Sequence, residues 1–179
     1  ILCDENVLPE NNLPNAISYE KFLSAGNENF SWIKGEETDA CGICYTSGTT
    51  GNPKGVVYTH RSNTLHALTQ AAPDMLNLSS QDSIMPVVPL FHANGWSIAY
   101  TAPLVGASII FPGGDMSPKS LYEMLEKGVT ITAAVPTVWL LLLSFLENEK
   151  RTLTSLKRVV IGGSSCPRSV IEDFQNKYG

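Results

Sequence analysis

The sequence predicts an α/β fold built on a mainly parallel, doubly wound sheet with flanking helices. Three observations predict it. From residue 83 onward, short β-rich runs alternate with longer amphipathic ones, the pattern of successive βαβ units. Most of the short runs are apolar throughout rather than alternating, as in strands covered on both faces. Prolines stand at 118, 136 and 167, where the first turn of a helix tolerates the missing N–H.

The elements follow in chain order. Residues 1–39 are irregular and polar, with Pro9, Pro14 and several Asn, and are expected to belong to a preceding subdomain. One short helix is expected over residues 18–25: Ser18 caps it, Phe22 and Leu23 pack, and Gly26 ends it. Residues 40–179 form the α/β subdomain. Its strands are expected at residues 41–46, 56–59, 83–88, 107–111, 131–134 and 158–161. Its helices are expected at residues 60–75, 95–103, 117–127, 136–148 and 167–177. The Ser117-Pro118 pair reads as a cap followed by a first-turn proline. Parallel strands joined this way require right-handed crossovers.

Composition sets outer limits. A chain of 179 residues suffices for a domain with a core. Its 43% apolar and 16% charged content argues against disorder. The net charge of -5, with only 12 scattered Lys and Arg, argues against nucleic acid as a partner. The start, Ile1-Leu2-Cys3-Asp4-Glu5, has neither the basic nor the apolar stretch of a signal peptide. It also lacks an initiator Met, as expected of an excised fragment. The most apolar stretch, residues 138–146, is shorter than the roughly 20 residues a membrane span needs, so no transmembrane segment is expected. Cys41 and Cys44 form a C-x-x-C, but no second pair supports zinc. On a strand their side chains point to opposite faces, so they read as small buried thiols in a reducing cytoplasm.

Three segments carry chemistry. The first is Tyr45-Thr46-Ser47-Gly48-Thr49-Thr50-Gly51-Asn52-Pro53-Lys54-Gly55. Its glycines permit close backbone approach, its hydroxyls supply donors, and successive N–H groups can form an anion nest. Lys54 adds a compact positive charge. The order is neither that of a Walker A loop nor of a dinucleotide fingerprint, and the plain alternative is a surface loop.

The second segment, Pro89-Leu90-Phe91-His92-Ala93-Asn94-Gly95-Trp96, follows a strand. By type alone, His92 and Trp96 would be packed core groups. The third, Val159-Val160-Ile161-Gly162-Gly163-Ser164-Ser165-Cys166-Pro167, is a strand, a glycine turn and a helix start. Such turns are either simple connections or ligand sites at the carboxyl end of a parallel strand. Cys166 has no accompanying base and reads as non-catalytic. His60 and His66, six apart, do not share a helix face for a metal, and both read as partly exposed polar groups. Asp115 reads as a turn residue.

Together the three segments resemble motifs of the adenylate-forming superfamily of acyl-CoA synthetases, luciferases and peptide adenylation domains. The subfamily most resembled is the fatty acyl-CoA synthetases. The resemblance implies part of the large N-terminal domain of an acetyl-CoA synthetase-like fold, in an acid–thiol ligase using ATP, Mg²⁺ and coenzyme A. By that resemblance, Thr46, Ser47, Gly48, Thr49, Thr50, Gly51 and Lys54 bind the β- and γ-phosphates, with Thr46 or Thr50 near Mg²⁺. Lys54 and His92 are the catalytic candidates. His92, Trp96 and Gly163 lie against the acid, with Trp96 gating an acyl tunnel, while Gly163, Ser164 and Ser165 line the adenylate.

The partners implied are a fatty acid, ATP and coenzyme A, with a homodimer of the complete protein as a further option. The family's later Tyr-Gly-x-Thr-Glu motif, ribose-binding Asp and small C-terminal domain are absent, so the chain alone is not expected to complete the reaction. Two alternatives stand beside this reading. One is another adenylate-forming ligase, acting on methylthiopropionate, an aryl acid or an amino acid. The other is a non-catalytic phosphate-binding module.

Overall fold

A computed structural model describes residues 10, 12–47 and 51–178. The chain divides into two compact units, Ile1–Glu36 and Glu37–Gly179.

In the first unit, Ser18 caps α1 (Tyr19–Leu23), its hydroxyl accepting the Lys21 N–H. Phe22 and Leu23 are each half-exposed, so the packing expected of them is not formed. Gly26 closes the end by donating its N–H to the Leu23 carbonyl. Phe30 and Trp32 meet edge to face at 5.2 Å.

The second unit begins with an antiparallel ribbon of β1 (Ala40–Thr46) and β2 (Lys54–Thr59), paired from Thr46 opposite Lys54 to Ala40 opposite Thr59. The ribbon is a sheet of its own. This corrects the expectation of strands covered on both faces: Cys44 is buried on one side of the ribbon, but several of its apolar side chains remain open to solvent. Ile43, Tyr45, Val56 and Val57 are all exposed. Cys41 is also exposed, against expectation, whereas Cys44 is buried as expected.

Thr59 then caps α2 (His60–Ala71) in a reciprocal pair with Ser62. The helix stops at Ala71 rather than continuing to Met75. Ala72 precedes Pro73, which forces it into extended backbone (φ -60°, ψ 151°).

The main sheet is parallel, in the order β4-β3-β5-β6. Its strands are β3 (Ser83–Pro86), β4 (Ser108–Ile109), β5 (Ile131–Ala134) and β6 (Arg158–Ile161). Alternation along each strand splits the core in two. On one face Ile84, Ile131 and Ala133 pack with Ile98 and Ala102 of α4 (Ile98–Val105). On the other, Met85 and Ala134 pack with α5 (Pro118–Leu125), α6 (Pro136–Asn148) and α7 (Arg168–Lys177). Trp139 and Leu142 of α6 are wholly buried there.

Pro118 and Pro136 occupy first turns. Pro167 stands one position earlier than expected, at the cap before α7, because its ψ of 137° is not helical. Asp115 accepts the Ser117 N–H at 2.9 Å, fixing the turn into α5.

A polar cluster joins the amino ends of three strands. Asp82, 8% exposed, accepts hydrogen bonds from Arg158 Nη2 (2.7 Å), the Thr130 hydroxyl (2.9 Å) and both Ser79 N–H and Ser79 Oγ. Thr130 Oγ1 in turn accepts the Ser83 N–H. From β3 the chain crosses to β4 on one side, and from β5 it crosses to β6 on the other, while β3 and β5 are neighbours. The crevice between them is therefore a topological switch point, where open α/β sheets bind ligands.

Candidate active site

Two of the three predicted segments leave the carboxyl ends of β3 and β6 and reach this crevice. The other sits on the ribbon. Thr46 ends β1 and Lys54 opens β2 directly opposite it, so strand pairing closes the neck of the glycine-rich loop. Thr46, Ser47, Gly51 and Lys54 are exposed. Gly51 has a φ of 91°, a left-handed conformation that an L side chain resists. Gly48, Thr49 and Thr50 lie outside the described residues. Among the described residues, Lys54 enters no ion pair. No group of three or more metal-ligating His, Cys, Asp or Glu is present among them either. Thr46 and Ser47 are the described residues at the neck of this loop whose hydroxyls could hold a hard cation. That suits a Mg²⁺ whose remaining ligands are phosphates and water.

The second segment departs from expectation. Instead of opening a right-handed helix at Gly95, residues 93–97 have φ values of 46°, 54°, 58°, 55° and 57°, five successive left-handed residues. They include the short turn α3 (Ala93–Trp96), and α4 starts only at Ile98. For an L-residue other than glycine or asparagine this hand costs about 1–2 kcal/mol each. Ala93, Trp96 and Ser97 therefore need support from their surroundings.

The structure supplies it from α2, β1 and α4. Gln70 Nε2 donates to the Trp96 carbonyl at 2.7 Å. His66 Nδ1 lies 2.7 Å from Ser97 Oγ. The Cys44 thiol donates to Asn94 Oδ1 at 3.0 Å. Thr101 Oγ1 lies 3.1 Å from the Ser97 carbonyl.

These supports are not legible in the residues of the turn itself. His66 and Gln70 are one helical turn apart, the spacing of a shared face, and that was the available signal. His60 and His66 are exposed as residues, yet His66 is tied to the turn.

Gly95 sits buried at the centre of the turn, and a Cβ there would lie 2.7 Å from Leu90 Cδ2 and 3.3 Å from Leu90 Cα. Gly95→Ala is expected to lower the unfolding free energy by about 1–3 kcal/mol, the usual penalty for overpacking. Urea unfolding of the variant beside the parent protein measures it.

The turn sets Trp96 against the third segment. A Cβ on Gly162 would come within 3.0 Å of Trp96 Cη2, so the indole lies directly over this glycine. Gly163 turns left-handed (φ 85°) beneath Val135, whose Cγ1 would be 3.1 Å from an added Cβ. Ser164 and Ser165 follow on the surface. The Cys166 thiol, half-buried against the core, lies 3.5 Å from the Pro167 carbonyl. His92, exposed, leads into the Trp96 turn, and its N–H is held by the Pro89 carbonyl at 3.1 Å. The fold thus joins Trp96 to the Gly162–Gly163 turn through β3 and β6, and Cys44 of β1 to Asn94. No hydrogen bond or ion pair among the described residues links Lys54 to His92.

Comparison with known proteins gives the following. A family model described as "AMP-binding enzyme" matches residues 5–179. A medium-chain-fatty-acid–CoA ligase of Ectopseudomonas oleovorans is 47% identical over 168 residues, 93% of this chain and 31% of the relative. A 3-methylmercaptopropionyl-CoA ligase of Ruegeria pomeroyi is 43% identical over 162 residues, 90% of this chain and 30% of the relative. The solved structure of a long-chain-fatty-acid-CoA ligase from Archaeoglobus fulgidus superposes with a TM-score of 0.75 at 29% identity, over 88% of this chain and 32% of that one. This chain spans about a third of the length of these curated relatives.

Proposed function

We propose, on the premise that this chain belongs to the AMP-binding enzyme family, that it is part of an ATP-dependent fatty acyl-CoA synthetase. The observation that carries the reading is the meeting of Trp96 with the Gly162–Gly163 turn at the carboxyl ends of β3 and β6. An apolar wall there faces a backbone turn bare of side chains. We infer that the acyl chain and its planar carboxyl group are received beside this contact. The 47% identity to a medium-chain-fatty-acid–CoA ligase supports the same acid class.

The chemistry runs in two steps. A carboxylate oxygen of the acid attacks the α-phosphorus of ATP. The bond from that phosphorus to the bridging oxygen breaks, and pyrophosphate leaves with the electron pair. The thiolate of coenzyme A then attacks the acyl carbonyl, and AMP departs with its carboxyl-derived oxygen. No protein nucleophile is required, so catalysis rests on positioning and charge.

Lys54 and the N–H groups of the loop opened by Thr46 and Ser47 neutralise the departing pyrophosphate. The family resemblance assigns Thr46 or Thr50 as a hydroxyl ligand of Mg²⁺, which when bound would polarise the phosphoryl oxygens. His92 stands at the entry of the acid side. Gly163, Ser164 and Ser165 border the adenylate. Among the described residues no helix is long and apolar enough to cross a membrane. We assign a cytoplasmic location, since Cys41, Cys44 and Cys166 are free thiols, which a reducing compartment maintains.

The test is acid-dependent release of pyrophosphate by the complete polypeptide, followed by acyl-CoA formation, over fatty acids of increasing length and 3-methylthiopropionate. Pyrophosphate release and thioester formation with the fatty acids are expected. Absence of both with every acid overturns the reading.

A further inference from the structure

We propose that Gln70 is a positioning residue that fixes the Trp96 turn over Gly162 and thereby sets which acyl chains the site accepts. The inference rests on the acyl-CoA synthetase reading for its substrate, and on the structure for its geometry.

Gln70 lies on α2, outside all three of the segments that resemble family motifs. It is 8% exposed. A buried primary amide is unfavourable unless both of its ends are satisfied. Here both ends are used, and both uses concern the turn. The amide nitrogen donates to the Trp96 carbonyl at 2.7 Å. The amide oxygen lies 2.8 Å from Thr101 Oγ1, which is itself 3.1 Å from the Ser97 carbonyl. The single Thr101 proton is thus shared between two oxygens flanking the turn. Because the Trp96 carbonyl can only accept, it fixes which end of the amide faces it.

The backbone so gripped is the strained part of the site. Trp96 has a φ of 55° and Ser97 of 57°, with Ala93, Asn94 and Gly95 also left-handed before them. Left to local preference these residues would rewind right-handed into α4. Rewinding would swing the indole away from Gly162, where it now lies at contact distance. Loss of the Gln70 donor leaves the Trp96 carbonyl unpaired beside a half-buried ring, and removes the grip at the residue whose side chain walls the crevice. An acyl chain entering beside Gly162 meets that wall, so a displaced indole alters the room available to it. The glycine-rich loop lies on the β1–β2 ribbon, which meets the turn through Cys44 and Asn94 rather than through Gln70, so ATP affinity is expected to hold when the Gln70 donor alone is lost.

The experiment compares the complete polypeptide with its Gln70→Glu variant, which keeps the shape and the acceptor but removes the donor. Two readouts are taken. In protein labelled with 5-fluorotryptophan, the ¹⁹F line of Trp96, assigned by Trp96→Phe, is expected to shift in Gln70→Glu while the other tryptophan lines stay. The ratio of kcat/KM for dodecanoate to that for hexanoate is expected to change by about tenfold or more, the scale of pocket-shape discrimination, with KM for ATP unaltered.

An unmoved Trp96 line, an unchanged chain-length ratio, or a loss equal for all acids overturns the proposal. Should Gln70→Glu fail to fold, Gln70→Met, of similar length and without donor or acceptor, carries the same comparison. If the parent protein activates no acid, the functional reading and the selectivity claim fall, while the Trp96 line still decides whether Gln70 holds the turn.

Discussion

Lys54→Ala in the complete polypeptide lowers kcat for acid-dependent pyrophosphate release by about 10²–10³-fold, the effect of removing one preorganised group from a developing charge. The expectation rests on where the residue stands. Lys54 opens β2 opposite Thr46, is exposed, and enters no ion pair among the described residues. A lysine tied into a structural pair would reveal itself through stability. This one has no such tie, and alanine preserves the backbone pairing that closes the loop. The thermal midpoint is therefore expected to hold while the rate falls. Lys54→Arg retains part of the activity, since the charge survives but its compact shape does not. A Lys54→Ala variant as active as the parent would make the glycine-rich segment an ordinary surface loop.

Asp82→Ala has the largest expected effect on stability, a loss of about 3 kcal/mol in the free energy of unfolding. Removing one partner of a buried ion pair leaves the other uncompensated, typically at 3–5 kcal/mol. The lower end applies because the Arg158 side chain is 32% exposed and water screens part of the loss. The carboxyl group also responds to pH. Burial pushes its pKa up, but the hydrogen bonds from the Ser79 N–H, Thr130, Arg158 and the Ser79 hydroxyl together hold it below its ordinary value of 3.8. A depressed folded-state pKa means that the unfolded chain binds the proton more readily. The contribution of Asp82 is therefore fully present above about pH 4, the unfolded carboxylate range, and is lost as pH falls through the lower folded value. Urea midpoints measured from pH 6 downward should decline in the parent and flatten over the acid range in Asp82→Ala. Parallel decline in the two proteins would remove Asp82 from the acid response.

What the sequence displays and what it hides follow one physical division. The parallel strands and α6 are legible because burial on both faces writes continuous apolar runs, and because Pro118 and Pro136 mark helix starts. The independence of the β1–β2 ribbon is not legible. Ile43, Val56 and Val57 look like core residues but are exposed, because side-chain type does not say which sheet a strand joins.

The left-handed turn is hidden for a different reason. Nothing in Ala93, Trp96 or Ser97 favours that hand. It is set by His66, Gln70, Cys44 and Thr101, two of which lie over twenty residues upstream on α2. Likewise, the segments around Trp96 and Gly162 are each visible in sequence, but their contact arises from the neighbouring places of β3, β5 and β6.

The backward-wound peptide before α4 also bears on how the lineage can change. Its chirality acts as a sieve on substitution. At Gly95 both the hand and the neighbouring Leu90 reject any newcomer. At exposed Ala93 the hand alone objects, and glycine or asparagine would sit there more comfortably. A descendant could thus relax the segment by drifting at its solvent side, while its inner side stays frozen. Sequence tolerance should therefore be wider at Ala93 than at Gly95, a contrast drawn by handedness and packing rather than by catalytic demand.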